Sequence, residues 1–174
     1  MKKSITFLLI LSAFCIFNFA FTGCGIYSFT PKGTLPDSIK TVRVQIFENR
    51  APYVNPQLVP NLTDRLRQKI TRQTKLTQTN NDNANLDISG TITDYSVLTT
   101  GVTSVNGQKQ SSVNRLTVTV HVVFNQFGEA KEADVSHSFD FPANQTLQQA
   151  EAALLDEMVR NLSDEIFNRI FSDW

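Results

Sequence analysis

Seven residues, Thr41-Val42-Arg43-Val44-Gln45-Ile46-Phe47, alternate apolar and polar side chains. That is the period of a half-buried strand, with Val42, Val44 and Ile46 turned inward. After a loop over 49–56, Leu58, Leu62, Leu66 and Ile70 recur every fourth residue. Asp64, Arg65, Arg67, Gln68 and Lys69 cover the other side, so the segment predicts an amphipathic helix. Pro56 and Pro60 are both plausible first-turn prolines and leave its start open by about one turn. Thr79-Asn80-Asn81-Asp82-Asn83 is turn material that ends the unit.

A long hairpin follows. Leu86, Ile88, Gly90 and Ile92 share one face of a strand, and Leu116, Val118, Val120, Val122 and Phe124 share one face of its partner. Asn106-Gly107 between them favours a two-residue type I′ turn. That turn pairs Val97 with Leu116, but it also sets Thr93 opposite Val120 and Ser89 opposite Phe124. Ile88 and Ile92 would then point the wrong way. One extra residue between Ile92 and Val97 repairs the faces, so the pattern predicts a β-bulge near Asp94-Tyr95. Residues 99–114 hold almost no large apolar side chain and are expected to project as a finger.

After Gly128-Glu129-Ala130-Lys131 a further strand, residues 135–141, is expected to set Val135 opposite Phe124 and Phe139 opposite Val120. Thr146 then opens a helix of roughly 25 residues, at about 1.5 Å each. Leu147, Ala150, Leu154, Met158, Leu162, Ile166 and Ile170 drift round it, with Phe167, Phe171 and Trp174 widening the apolar arc. Ile166 and Ile170 read as core; Phe171 and Trp174 suit either core or interface. The order predicts an α+β two-layer sandwich: a four-stranded mixed sheet with two amphipathic helices on one face. Its first crossover makes the flanking strands parallel.

The start of the chain has a different character. Lys2 and Lys3 precede an apolar run from Ile5 to Phe21, closed by Phe21-Thr22-Gly23-Cys24. A basic start, an apolar stretch and a small-residue cleavage site make a secretory signal. Bacterial lipoprotein signals resemble this pattern, in which the cysteine receives the lipid and becomes the new N-terminus. Phe21 departs from the Leu usual there. The alternative is an uncleaved anchor, for which the run falls at the short end of the roughly 17–25 residues a spanning helix needs. Residues 1–23 are therefore expected to be a signal peptide, 24–36 a tether with Pro31, Gly33 and Pro36, and 37–174 a single domain. Cys15 leaves with the signal, so Cys24 has no disulfide partner in the mature chain. The expected modification is covalent lipid on Cys24, diacylglycerol with an N-acyl chain such as palmitate, enough for stable anchoring.

Residues 24–174 number 151, sufficient for one real core. They carry 14 basic against 16 acidic residues, net −2, which excludes bulk affinity for nucleic acid.

Several short patterns occur in a characteristic order. They are Cys24 followed by Tyr27-Ser28-Phe29, Leu35-Pro36-Asp37-Ser38-Ile39-Lys40-Thr41-Val42, Phe47-Glu48-Asn49-Arg50, Leu62-Thr63-Asp64-Arg65-Leu66 and Leu86-Asp87-Ile88-Ser89-Gly90-Thr91-Ile92. Together they resemble the lipopolysaccharide-assembly lipoprotein family, LptE, of Gram-negative outer membranes. The resemblance implies a non-enzymatic, plug-like subunit inside a large outer-membrane β-barrel, LptD. Such a subunit assists barrel assembly and helps deliver lipopolysaccharide to the outer leaflet. It also implies an outer-membrane location; the absence of acidic residues just after Cys24 favours the periplasmic side. An auxiliary lipoprotein of another envelope lipid-transport or secretion complex is the alternative.

Lys109 and Arg115, on or beside the finger, are candidate contacts for lipopolysaccharide phosphates, Arg as a bidentate donor. Solubilising charge on an exposed hairpin is the plainer reading of both. Lys40, Arg43 and Arg50 have weaker claims. His121 and His137 fall on opposite faces, with His137 inward opposite Val122, so no shared metal is expected. Asp87, Asp94, Asp134 and Asp140 read as solvated faces or edge protection. No glycine-rich phosphate loop, CxxC pair or nucleophile elbow is present, and neither catalysis nor a cofactor is expected.

Overall fold

The computed structural model describes residues 38–105 and 108–171, with side chains from 38–101 and 113–171. The expected signal peptide, Cys24, the tether, the Asn106-Gly107 turn and Trp174 lie outside the described residues. The elements are β1 (Thr41–Val44), β2 (Glu48–Asn49), α1 (Leu58–Gln73), β3 (Thr77–Gln78), β4 (Leu86–Val105), β5 (Gln108–Gln126), β6 (Glu129–Pro142) and α2 (Leu147–Phe171). The sheet runs β3-β1-β4-β5-β6, with β2 pairing β4 beside β1. β1 lies parallel to β4 and β3, whereas β4, β5 and β6 are antiparallel. The α+β class, the mixed sheet and the two helices agree with the sequence pattern. The strand count does not: the described residues form six strands, because two two-residue strands, β2 and β3, are too short to carry any periodicity.

Strand β1 also stops early. Val44 pairs with Ile88 and Glu48 with Thr91, so three residues separate the partners on β4 but four separate them on β1–β2. The extra residue reverses the alternation. Ile46 is 71% exposed and Phe47 takes the core position at 3%, correcting the inward placement of Ile46. The Phe47 ring lies against Gly90, where a Cβ would come within 2.5 Å of it.

α1 sets Leu58, Leu62, Leu66 and Ile70 fully inside. Asn55 prepares its entry, its side chain accepting from Gln57 N at 3.0 Å. Pro60 falls in the first turn, where its missing N–H leaves nothing unpaired. α2 starts with a reciprocal cap: Gln149 N donates to Thr146 Oγ1 at 3.3 Å, and Thr146 N donates to Gln149 Oε1 at 3.1 Å. Ile166, Ile170 and Phe171 are all buried, which settles Phe171 as core. Lys69 joins the helices, 2.7 Å from Asp164 and 5.1 Å above the Phe167 ring. One cluster unites these helix residues with Val42, Ile88, Ile92, Leu116, Val120, Val135 and Phe139. No described helix is long and apolar enough to cross a membrane.

In the long hairpin Val97 pairs with Leu116, Ile92 with Val120 and Ile88 with Phe124. The register shift falls between Ile92 and Asp94, so the bulge is Thr93, one residue before the place expected. Val105 pairs with Gln108 on either side of the two turn residues. Two further irregularities, Thr100 on β4 and Ser112 on β5, cancel each other. They lie where β6 ends, since Val113 pairs with Pro142. Beyond that level β4 and β5 continue as a two-stranded ribbon among the described residues, the finger expected from its polar composition.

The β5–β6 register differs from expectation by four residues. Val135 pairs with Val120, Phe139 with Leu116 and His137 with Val118. The cause is a tighter turn. Phe127 (φ 48°) and Gly128 (φ 92°) are its two central residues, a type I′ geometry, and Gln126 pairs directly with Glu129. Asn125 Oδ1 accepts from Gly128 N at 2.9 Å and holds it. Because four is even, the core faces of β6 are unchanged.

Candidate functional site

With both helices on one face, alternation along the strands leaves the other face to polar side chains. Across β5 and β6 they pair rung by rung. Thr117 Oγ1 and Ser138 Oγ are 2.9 Å apart, and Thr119 Oγ1 and Ser136 Oγ 3.0 Å. Charged and hydrogen-bonded pairs flank this hydroxyl ladder. At the finger end Arg115 donates to both Asp140 oxygens, at 2.7 and 2.8 Å. Each partner stabilises the other's charge, holding the Asp140 carboxyl below its ordinary pKa and the guanidinium above its own. At the other end His121 Nδ1 is 2.8 Å from Asp134 and Nε2 3.5 Å from Glu132. Arg43 on β1 grips both Asp87 oxygens at 2.7 and 2.8 Å and also meets Asp82. The Arg43 bond, assisted by Gln45, lowers the Asp87 pKa. The face is thus hydroxyl-rich, and its Arg43 and Arg115 guanidiniums are each held by carboxylates. Among the described residues no three metal-ligating side chains gather.

Candidate residues from the sequence do not form one site. Arg115 stands at the base of the finger but is held by Asp140. Lys109 pairs with Ser104 in the distal ribbon, and its side chain lies outside the described residues, as does Cys24. Arg50 pairs with Glu48 at 2.8 Å. His137 does face inward, 3.3 Å from Asn161 and 3.7 Å from Glu165 on α2, away from His121.

One polar cluster has no counterpart in the sequence reading. Glu151, buried on α2, accepts from Tyr95 Oη at 2.5 Å and from Tyr53 Oη at 3.1 Å. The two rings stack at 5.2 Å. A carboxylate three residues before Leu154 and seven before Met158, within the apolar arc, was the available signal. The cluster ties the 50–57 loop and α2 to β4 just past its bulge, at the root of the finger.

Burial raises both phenol pKa values, and the Glu151 bonds add to that rise. In the unfolded chain a phenol loses its proton near pH 10, about its ordinary value. The fold keeps both protons longer, so above pH 10 the unfolded state binds fewer protons and stability falls. The stabilisation is complete below pH 10 and drains as pH rises. Tyrosinate absorbance at 295 nm should therefore show the buried Tyr95 phenol ionising only as the fold opens. Early ionisation of Tyr95 in the folded chain would show that the cluster is not closed.

Comparison with solved structures finds similarities at low identity. A minor lipoprotein from Acinetobacter baumannii aligns at 15% identity and TM-score 0.48, covering 76% of this chain and 93% of that one. The rare lipoprotein B from Shewanella oneidensis aligns at 12% and 0.41, covering 74% and 92%. A putative neuraminyllactose-binding hemagglutinin homolog from Helicobacter pylori aligns at 9% and 0.50, covering 80% and 87%. No curated protein matches the sequence significantly. The model of the lipopolysaccharide-assembly family LptE matches residues 39–170. That match spans β1 through almost all of α2, well over half of the sequence, and the chain belongs to the LptE lipopolysaccharide-assembly family.

Proposed function

We propose that this lipopolysaccharide-assembly lipoprotein is a non-enzymatic, plug-like subunit of the outer-membrane translocon. It would be anchored by lipid on Cys24, face the periplasm and sit within the lumen of an LptD-like β-barrel. Family membership supports the process. The observation that carries the plug reading is the open sheet face, because barrel interiors are polar. Thr117, Ser138, Thr119 and Ser136 offer hydroxyls that exchange one hydrogen-bond partner for another. The flanking Arg115 and Arg43 are already paired with carboxylates and add no bare cation to bury. The finger extends beyond β6 and gives the plug reach towards substrate or barrel loops. On this reading Lys109 and Arg115 contact lipopolysaccharide phosphates, with Arg115 dividing its donors between ligand and Asp140.

Photo-crosslinking residues placed at Ser138 and at Thr119 in the native membrane test this directly. The expected product from both positions is a covalent adduct with one large β-barrel protein, retained through gentle detergent extraction. Recovery of the protein as an uncrosslinked monomer under those conditions would sink the plug reading.

A further inference from the structure

On the side of the domain where α1 meets β3, Arg67, Gln68, Thr71, Arg72 and Gln78 line an open groove of about 210 Å³. We propose that this groove binds a phosphate group. Its framework is fixed before any ligand arrives. Gln78 Nε2 donates to Arg67 O at 2.6 Å and to Thr71 Oγ1 at 2.9 Å, fastening β3 to the helix. Arg67 is oriented from behind, because Nε and Nη2 both donate to Val44 O, at 3.2 and 2.6 Å. Its Nη1 is left with only Asp64, at 3.4 Å, and that carboxylate is 67% exposed. An exposed pair of that length is weak and screened by salt, so a better acceptor displaces it.

Arg72, five residues on, is exposed and no ion pair engages its guanidinium among the described residues. The two guanidiniums and the Gln68 amide therefore present more donors than the two oxygens of a carboxylate can accept. A tetrahedral phosphate, with three or four acceptor oxygens, matches the set. Electrostatics agree: α1 carries Arg65, Arg67, Lys69 and Arg72 against Asp64 alone, in a chain whose formal charge is zero. The groove is separate from Lys109 and Arg115 and from the hydroxyl ladder. A sugar phosphate and a phospholipid headgroup both offer the required chemistry.

The test uses the full chain in detergent and amide chemical shifts at Gln68, Thr71, Arg72 and Gln78. Inorganic pyrophosphate is expected to shift these amides saturably. Arg72→Glu should weaken that response at least tenfold. Arg65→Glu, an equal change of charge on the same helix outside the groove, should leave it within twofold. Glucosamine 1-phosphate and glycerophosphoglycerol then separate the sources: whichever saturates at lower concentration identifies sugar phosphate or lipid headgroup, and either result supports the site. Non-saturating shifts, equal responses to sulfate and pyrophosphate, or equal weakening by both variants would overturn it. Barrel crosslinking of Arg72→Glu is scored separately. Loss of phosphate binding with crosslinks intact leaves the plug reading standing, and the reverse outcome leaves the groove standing.

Discussion

Gly90→Ala is expected to destabilise the domain by about 1–3 kcal/mol through overpacking. For a chain of this length each kcal/mol lowers Tm by roughly 2–4 °C. The backbone is no obstacle, since Gly90 does not have positive φ, as Gly128 does. The obstacle is the Phe47 ring, with three of its atoms 2.5–2.7 Å from the position the new methyl would occupy. Phe47 cannot swing away cheaply. It is 3% exposed, and its backbone N donates to the buried Thr63 hydroxyl at 3.2 Å. Phe47→Ala alone should cost about 3–5 kcal/mol. In that background Gly90→Ala should become neutral or slightly stabilising, because its methyl enters vacated space and a glycine's unfolded-state freedom is removed. Urea midpoints of the four proteins measure the coupling; strictly additive losses would mean that ring and glycine do not meet.

This contact illustrates what the sequence pattern conveys and what it omits. The hairpin bulge was legible because parity is unforgiving: Leu116 to Phe124 and Leu86 to Ile92 cannot both face the core without one extra residue. The β6 register was not. Gly128-Glu129-Ala130-Lys131 looks like a loop, and the first four residues of β6 are all exposed, so no apolar alternation announces the strand. Missing those residues concealed the polar face as well. In the expected register Arg115 faces Asn144 and His121 faces Ser138. In the observed one they face Asp140 and Asp134. The Arg115–Asp140 ion pair and the His121–Asp134 contact existed in composition but not in register. Arg67, Arg72 and Gln78 converge only because β3 forms, and two residues carry no period to detect. Glu151 is a different case. A charge within an apolar helix arc is visible in the sequence, and it marked a buried network whose two tyrosines no periodicity could have supplied.

That network should give the other large response. Glu151→Ala strands the Tyr95 donor, buried at 4% exposure, while Tyr53, at 37%, can turn to water; a buried unsatisfied group costs about 1–3 kcal/mol. The loss is expected to be about 2 kcal/mol. Glu151→Gln keeps the shape and one acceptor, so it should lose roughly half as much. The discriminating variant is the triple change Glu151→Leu, Tyr53→Phe, Tyr95→Phe. It removes the acceptor together with both phenols, leaving only the Asn55 side chain that bonds Tyr95 without its partner, and should be more stable than Glu151→Ala. Hydrogen exchange locates the effect. Glu151→Ala should speed exchange at Tyr95, Val97 and the 50–57 loop, at the root of the finger, while β1 amides stay protected. Uniform acceleration across the sheet would mean that the network merely adds to global stability. A local change would make Glu151 the residue that holds the finger's base on the helical layer.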